Sequence, residues 1–193
     1  LVDLVDTASR MSLETLVLTN GSLLTADLVT GLSDSGLSAT VAGLARFDLS
    51  ERRAANLLAE HSRMPFSFIF CFNKKTYERI PDAMEFARDY KAPILFQPAF
   101  IPRGHAQEQE LSMQCVDAFE WSRIYTMLRP WARAQGYDNY LKLMHAVYTE
   151  AAARPPQCAM SGSALVVDAD GRMYPCFHRR DLDCGCAWDH GYP

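Results

Sequence analysis

The sequence predicts an α/β fold of parallel strands alternating with helices, followed by a small C-terminal cysteine-rich β-hairpin domain. Three observations carry this. Short β-rich runs recur about every 25 residues through the first hundred, with helical patterns between them. Those runs are apolar on both faces, most plainly Phe66-Ser67-Phe68-Ile69-Phe70, as parallel strands covered by helices are. Finally, Cys158, Cys176, Cys184 and Cys186 crowd the tail around an Asp-Gly turn signal. Strand–helix–strand repeats of this length imply right-handed βαβ units, closed as a barrel or laid out as a doubly wound sheet.

The strands are read at Thr15–Leu18, Ser38–Val41, Phe66–Phe70 and Ile94–Phe96. Helices fill about 25–35, 50–61 and 76–91 between them. Thr25 and Ser50 have the hydroxyl that can accept an orphan N–H in a first helical turn. In the third helix Ile80, Met84, Ala87 and Tyr90 form one apolar stripe. Ile101 to His105 is a loop. A long helix follows at about 112–134, interrupted by Pro130, and another at about 137–153. In the latter, Tyr140, Leu143, Met144 and Val147 read as core. Arg154-Pro155-Pro156 marks a boundary, dividing the chain into residues 1–153 and 154–193. In the tail, Ala164–Val167 and Arg172–Tyr174 are the strands of a hairpin turning at Asp170-Gly171.

Composition narrows the function classes. Of the 193 residues, 49% are hydrophobic and 22% charged, ordinary for a globular protein. A net charge of −4 with no basic block gives no electrostatic footprint for nucleic acid. No apolar run approaches the roughly 20 residues that cross a bilayer, and Leu1 to Asp6 lacks the pattern of a secretory signal. A cytoplasmic protein with neither nucleic-acid nor membrane partners is therefore expected, with reduced thiols available to a metal. The chain starts without Met and inside an amphipathic pattern, which reads as a fragment.

The tail carries the strongest chemical signal: Cys158, twelve residues, Gly171, four residues, Cys176. A tight hairpin brings its flanks together, so two thiolates at its open end can bind one metal centre. Cys184 and Cys186 follow, each open to a role as a ligand or a free thiol, and His178 lies between as a surface or supporting residue. Cys71 and Cys115 read as buried thiols.

This C-x12-G-x4-C spacing, with Ala164 through Cys176 around it, resembles the opening of the SPASM/twitch domain of radical S-adenosylmethionine (SAM) enzymes. The first hundred residues resemble the later part of their barrel. Leu16-Val17-Leu18-Thr19-Asn20-Gly21 is similar to the third strand. Ala39 to Gly43 is similar to the fourth, with Ala42 in place of an acid. Phe70-Cys71-Phe72-Asn73 matches the fifth and Phe96 to Gly104 the sixth strand and its loop. The resemblance implies a partial (β/α)6 TIM-like barrel over 1–153 and the start of a SPASM domain over 154–193. It nominates Asn20, Thr40, Arg52, Asn73 and Gln97 as SAM or substrate contacts, with Arg46 and Arg53 as further arginine candidates. For Asn73, helix capping is an equal reading. Cys158, Cys176 and Cys184 become ligands of an auxiliary [4Fe–4S] cluster. The implied full-length activity uses a [4Fe–4S] cluster and SAM to generate a 5′-deoxyadenosyl radical for hydrogen abstraction, on a peptide or protein substrate. The Cys-x3-Cys-x2-Cys motif of the catalytic cluster is absent from this sequence, so the chain alone is expected to be inactive. The rival reading is a non-catalytic module binding zinc or iron–sulfur.

Overall fold

The computed structural model describes residues 1–99, 101, 104–149, 165–176 and 182–187. The chain divides into two compact units, Leu1–Ala151 and Ala152–Pro193. In the first, α1 (Val2–Arg10) leads into β1 (Leu16–Thr19), α2 (Ala26–Asp34), β2 (Ala39–Leu44), α3 (Leu49–His61), β3 (Phe66–Phe72), α4 (Ile80–Asp89) and β4 (Ile94–Pro98). The strands form one parallel sheet in the order β1-β2-β3-β4. Then come a single turn α5 (Glu108–Leu111) and the helices α6 (Ala118–Gln135) and α7 (Asp138–Thr149). Among the described residues no helix is long and apolar enough to cross a membrane.

The core lies on one face of this sheet. Ala42, Leu44, Phe68, Phe70, Phe72, Ile94 and Phe96 are buried there, against Val29, Ala55, Leu58, Ile80, Phe86, Trp121, Ile124 and Leu128 from the helices. Each buried Phe contributes about 1.5–3 kcal/mol by leaving water. The Phe68, Phe86 and Phe96 rings meet their neighbours edge-on or tilted at 4.9–6.3 Å, the arrangement aromatic quadrupoles favour. The other face is also apolar, with Leu16, Leu18, Val41, Ile69 and Leu95, but no helix among the described residues buries it: Leu16 and Leu18 are 61% and 64% exposed. Apolar residues on both faces therefore gave the parallel sheet correctly, whereas the helices among the described residues cover only one of them.

The two edges of the sheet end differently. The N–H of Phe68 donates to Pro93, and that of Ala99 to Phe72, so alternate residues of β4 turn their peptide groups toward β3. Ile94 and Phe96 then direct their carbonyls to the outer edge. Trp131 of α6 donates its indole N–H to the Ile94 carbonyl at 2.7 Å. Tyr140 of α7 donates its hydroxyl to the Phe96 carbonyl at 3.1 Å. Two aromatic side chains thus occupy the acceptors that a fifth strand would use. At the β1 edge, no further strand is paired among the described residues.

Several local expectations change. Val2–Arg10 forms a helix, α1, additional to the expected elements, and its Val5 packs with Leu32, Leu37 and Met64. Thr25 does cap α2, accepting from Leu28 N–H. The cap of α3 is Asp48 rather than Ser50, because its carboxylate accepts from both Ser50 and Glu51 N–H. The helix expected from 112 begins at Ala118, after a 3₁₀ turn that Ser112 caps, and it runs through Pro130. Pro130 is exposed, so water can take up the carbonyl it leaves without an N–H. The buried positions of α7 are Leu141 and Met144, while Leu143 is 44% exposed, so the inward stripe is turned from the one expected.

In the second unit, β5 (Val166–Val167) and β6 (Met173–Tyr174) form an antiparallel hairpin. Gly171 adopts φ 84°, the positive value its turn requires. The chain then returns along the free side of β6. Cys184 N–H donates to Met173, Met173 N–H to Gly185 and Ala187 N–H to Gly171.

Candidate functional site

Parallel pairing sends all four strand ends to the same rim, where barrel folds assemble their sites. The rim consists of the turns after β1, β2 and β3 and the end of β4. After β1, Asn20 Oδ1 accepts both the N–H and the hydroxyl of Ser22, and Thr19 Oγ1 accepts Gly21 N–H. Gly21 has φ 76°, and a Cβ there would stand 2.5 Å from the Ala54 Cβ. Only glycine meets both constraints, which gives Thr-Asn-Gly a steric reason. After β3, Asn73 Oδ1 accepts Lys75 N–H while the Asn73 N–H donates to Thr76 Oγ1. Both asparagines therefore shape turns through their side-chain oxygens, and their amide NH₂ groups remain as donors.

On the open face near the rim, Gln97 pairs in register with Cys71, and both are exposed. Cys71 is thus not the buried thiol expected: alternation along β3 puts Phe70 and Phe72 inward and Cys71 on the open face. Burial on its protein side still pushes its thiol pKa up, so the protonated thiol is the favoured form. Cys115 is half-buried on the 3₁₀ turn, not within a helix. Tyr140, mostly covered by protein, has its phenol pushed up to about 12, chiefly by burial and then by Tyr148 and Cys71.

The other nominated residues lie elsewhere. Thr40 is buried on the helix-facing side and its hydroxyl meets Met64 Sδ at 3.8 Å. Arg52 is on the outer surface of α3, its guanidinium 5.2 Å from the Phe86 ring centroid and 3.9 Å from the Asp89 carboxylate. Arg46 is at the rim itself, 3.0 Å from Asp48 and 76% exposed. The structure therefore brings Asn20, Asn73 and Gln97 to one rim, and not Thr40 or Arg52.

The loop after β2 is the feature that motif reading missed. Glu51 accepts the N–H groups of Ala45, Arg46 and Phe47, and Arg79 donates to the carbonyls of Ala45 and Arg46. The signal was present as Asp48-x-x-Glu51, a capping-box spacing with an acid at the cap.

Among the cysteines, Cys158 and His178 lie outside the described residues. Cys186 bridges to Arg172, near the turn, whereas Cys176 follows the opposite end of β6. Four residues of extended chain separate Arg172 from Cys176, roughly 13 Å. Antiparallel register brings Cys184 about two residues closer to Cys176 than Cys186. Among the described residues no three His, Cys, Asp or Glu side chains gather into a metal site. The described cysteines do not form a cluster site by themselves.

No family model matches this chain, and no curated protein matches it. Solved structures do. Native anSMEcpe with bound AdoMet and Cp18Cys peptide is 16% identical, with a TM-score of 0.62 over 92% of this chain and 55% of the other. Streptococcus suis SuiB bound to S-adenosylmethionine is 12% identical, with a TM-score of 0.63 over 97% of this chain and 48% of the other. The chain spans about half the length of each. At these identities the likeness shows the fold alone: an α/β fold with a parallel four-stranded sheet.

Proposed function

We propose that this chain is part of a radical SAM enzyme of the SPASM/twitch kind, contributing one wall of a SAM and substrate cavity and a cysteine-rich auxiliary domain. The observation that carries the reading is the shared rim of four parallel strands, in a fold matched over nearly the whole chain by two structures solved with SAM bound. One of them also holds a peptide, which supports a peptide or protein substrate here. Asn20 and Asn73 would offer amide donors to ligand acceptors, and Gln97 would face substrate across the open face. Thr40 and Arg52 would take part through strand packing and the outer helix surface respectively, and the proposal does not rest on them.

The bound group in such enzymes supplies radical chemistry from SAM. This chain's residues would bind and orient the ligand at the rim. An auxiliary cluster would require Cys158 beside Cys176 and Cys184; since the described thiols form no site alone, no step is routed through one. Isothermal titration of the full chain with SAM tests the reading. Saturable binding that weakens about tenfold in Asn20→Ala or Asn73→Ala, as loss of a hydrogen bond to a charged group would produce, supports it. Absence of saturable binding contradicts it. Cleavage of SAM by the isolated chain would overturn the expectation that it is inactive alone.

A further inference from the structure

The loop Ala45-Arg46-Phe47 leaves β2 at the rim and enters α3. Glu51, one turn into α3, takes the N–H groups of all three residues, at 2.8 Å from Ala45 and 3.1 Å from Arg46. Arg79, on the turn after β3, takes the carbonyls of Ala45 and Arg46 at 3.3 and 3.0 Å. The same guanidinium stands 4.5 Å from the Phe47 ring centroid. Phe47 is held at φ 57°, in the left-handed region that an aromatic residue rarely occupies, with its ring against Phe70 and Phe86.

Ala45 and Arg46 are exposed, so water would satisfy their peptide groups without this arrangement. What the two side chains add is order. A carboxylate on one side and a planar five-donor guanidinium on the other leave this short loop one conformation.

We infer that Glu51 and Arg79 are positioning residues that hold the β2–α3 loop preformed at the ligand rim. This rests on the rim being the SAM and substrate site proposed above. A ligand that meets a fixed loop does not bear the entropy of ordering it, so the clamp raises affinity without touching the ligand.

The test combines hydrogen exchange with SAM titration on the full chain, comparing wild type with Glu51→Ala, Glu51→Gln and Arg79→Lys. The amides of residues 45–47 should be protected in the wild type and exchange at least about a hundredfold faster in Glu51→Ala, since local opening no longer breaks charge-assisted hydrogen bonds. SAM affinity should fall about tenfold in Glu51→Ala with the unfolding midpoint nearly unchanged, and less in Glu51→Gln, which retains one acceptor. Added acetate, but not chloride, should restore both protection and affinity to Glu51→Ala by refilling the three N–H groups. Unchanged protection, or SAM affinity that is unchanged or tighter in Glu51→Ala, would overturn the inference; tighter binding would mean that Glu51 competes with the ligand for these N–H groups. Arg79→Lys loses the fork but keeps the charge, and should reproduce the exchange defect. If wild type fails to bind SAM, the functional proposal fails, and the exchange arm still decides whether the clamp orders the loop.

Discussion

The two edges of the sheet solve the same problem in opposite ways. At β4, the outward carbonyls of Ile94 and Phe96 are taken by Trp131 and Tyr140, so a strand's acceptors end in side-chain donors. At β1, Leu16 and Leu18 stay largely exposed and no further strand is paired among the described residues. Exposed strand edges invite pairing with other chains unless they are covered or charged. The difference teaches that the β4 edge is closed by side-chain donors from α6 and α7, whereas the β1 edge has no such cover among the described residues.

That contrast can be broken first at Trp131. Trp131→Ala empties a buried space beside Phe96 and orphans the Ile94 carbonyl, and should cost about 3–5 kcal/mol in urea unfolding. On the β1 side the sensitive position is the turn rather than the edge. Gly21→Ala combines positive φ with overlap on Ala54, for a loss of about 2–4 kcal/mol by the same measurement.

Tyr140→Phe should cost about 1 kcal/mol near neutral pH, through the unmet Phe96 carbonyl. Its pH dependence has a definite sign. In the folded chain the Tyr140 phenol stays neutral up to about 12, but in the unfolded chain it ionises near 10. Its contribution is therefore complete below pH 10 and lost as the pH rises toward 12. Unfolding titrations of wild type and Tyr140→Phe should converge over that window; a constant difference would contradict the burial.

The smallest effect is expected at the open edge. Leu16→Lys with Leu18→Lys should change folding stability by less than about 0.5 kcal/mol per site, since both side chains are already exposed. The same pair should lower self-association measured by light scattering.

Much of the fold was legible in the sequence because its signals are local. Apolar β runs between helical stripes gave the parallel strands within a few residues, and the hydroxyl of Thr25 gave a cap. Where two candidates lay close together, position decided: Asp48 caps α3 because the helix starts at Leu49, which puts Ser50 inside the first turn with its own N–H among the capped donors. Long-range pairings were not legible. Nothing near Trp131, Tyr140 or Arg79 in sequence indicates the carbonyls they meet 33–44 residues away. At the site, the motif turns placed Asn20 and Asn73 at the rim. Thr40 went the other way because strand alternation, rather than residue chemistry, decides which face a side chain occupies.

The proposed auxiliary domain turns on whether this chain holds iron and sulfide. Anaerobic reconstitution followed by Mössbauer spectroscopy and metal and sulfide analysis measures that directly. The account predicts a [4Fe–4S] signature that is lost in Cys158→Ala and in Cys176→Ala. Tetrahedral zinc with no sulfide, or an iron–sulfur signal indifferent to those two substitutions, would contradict it.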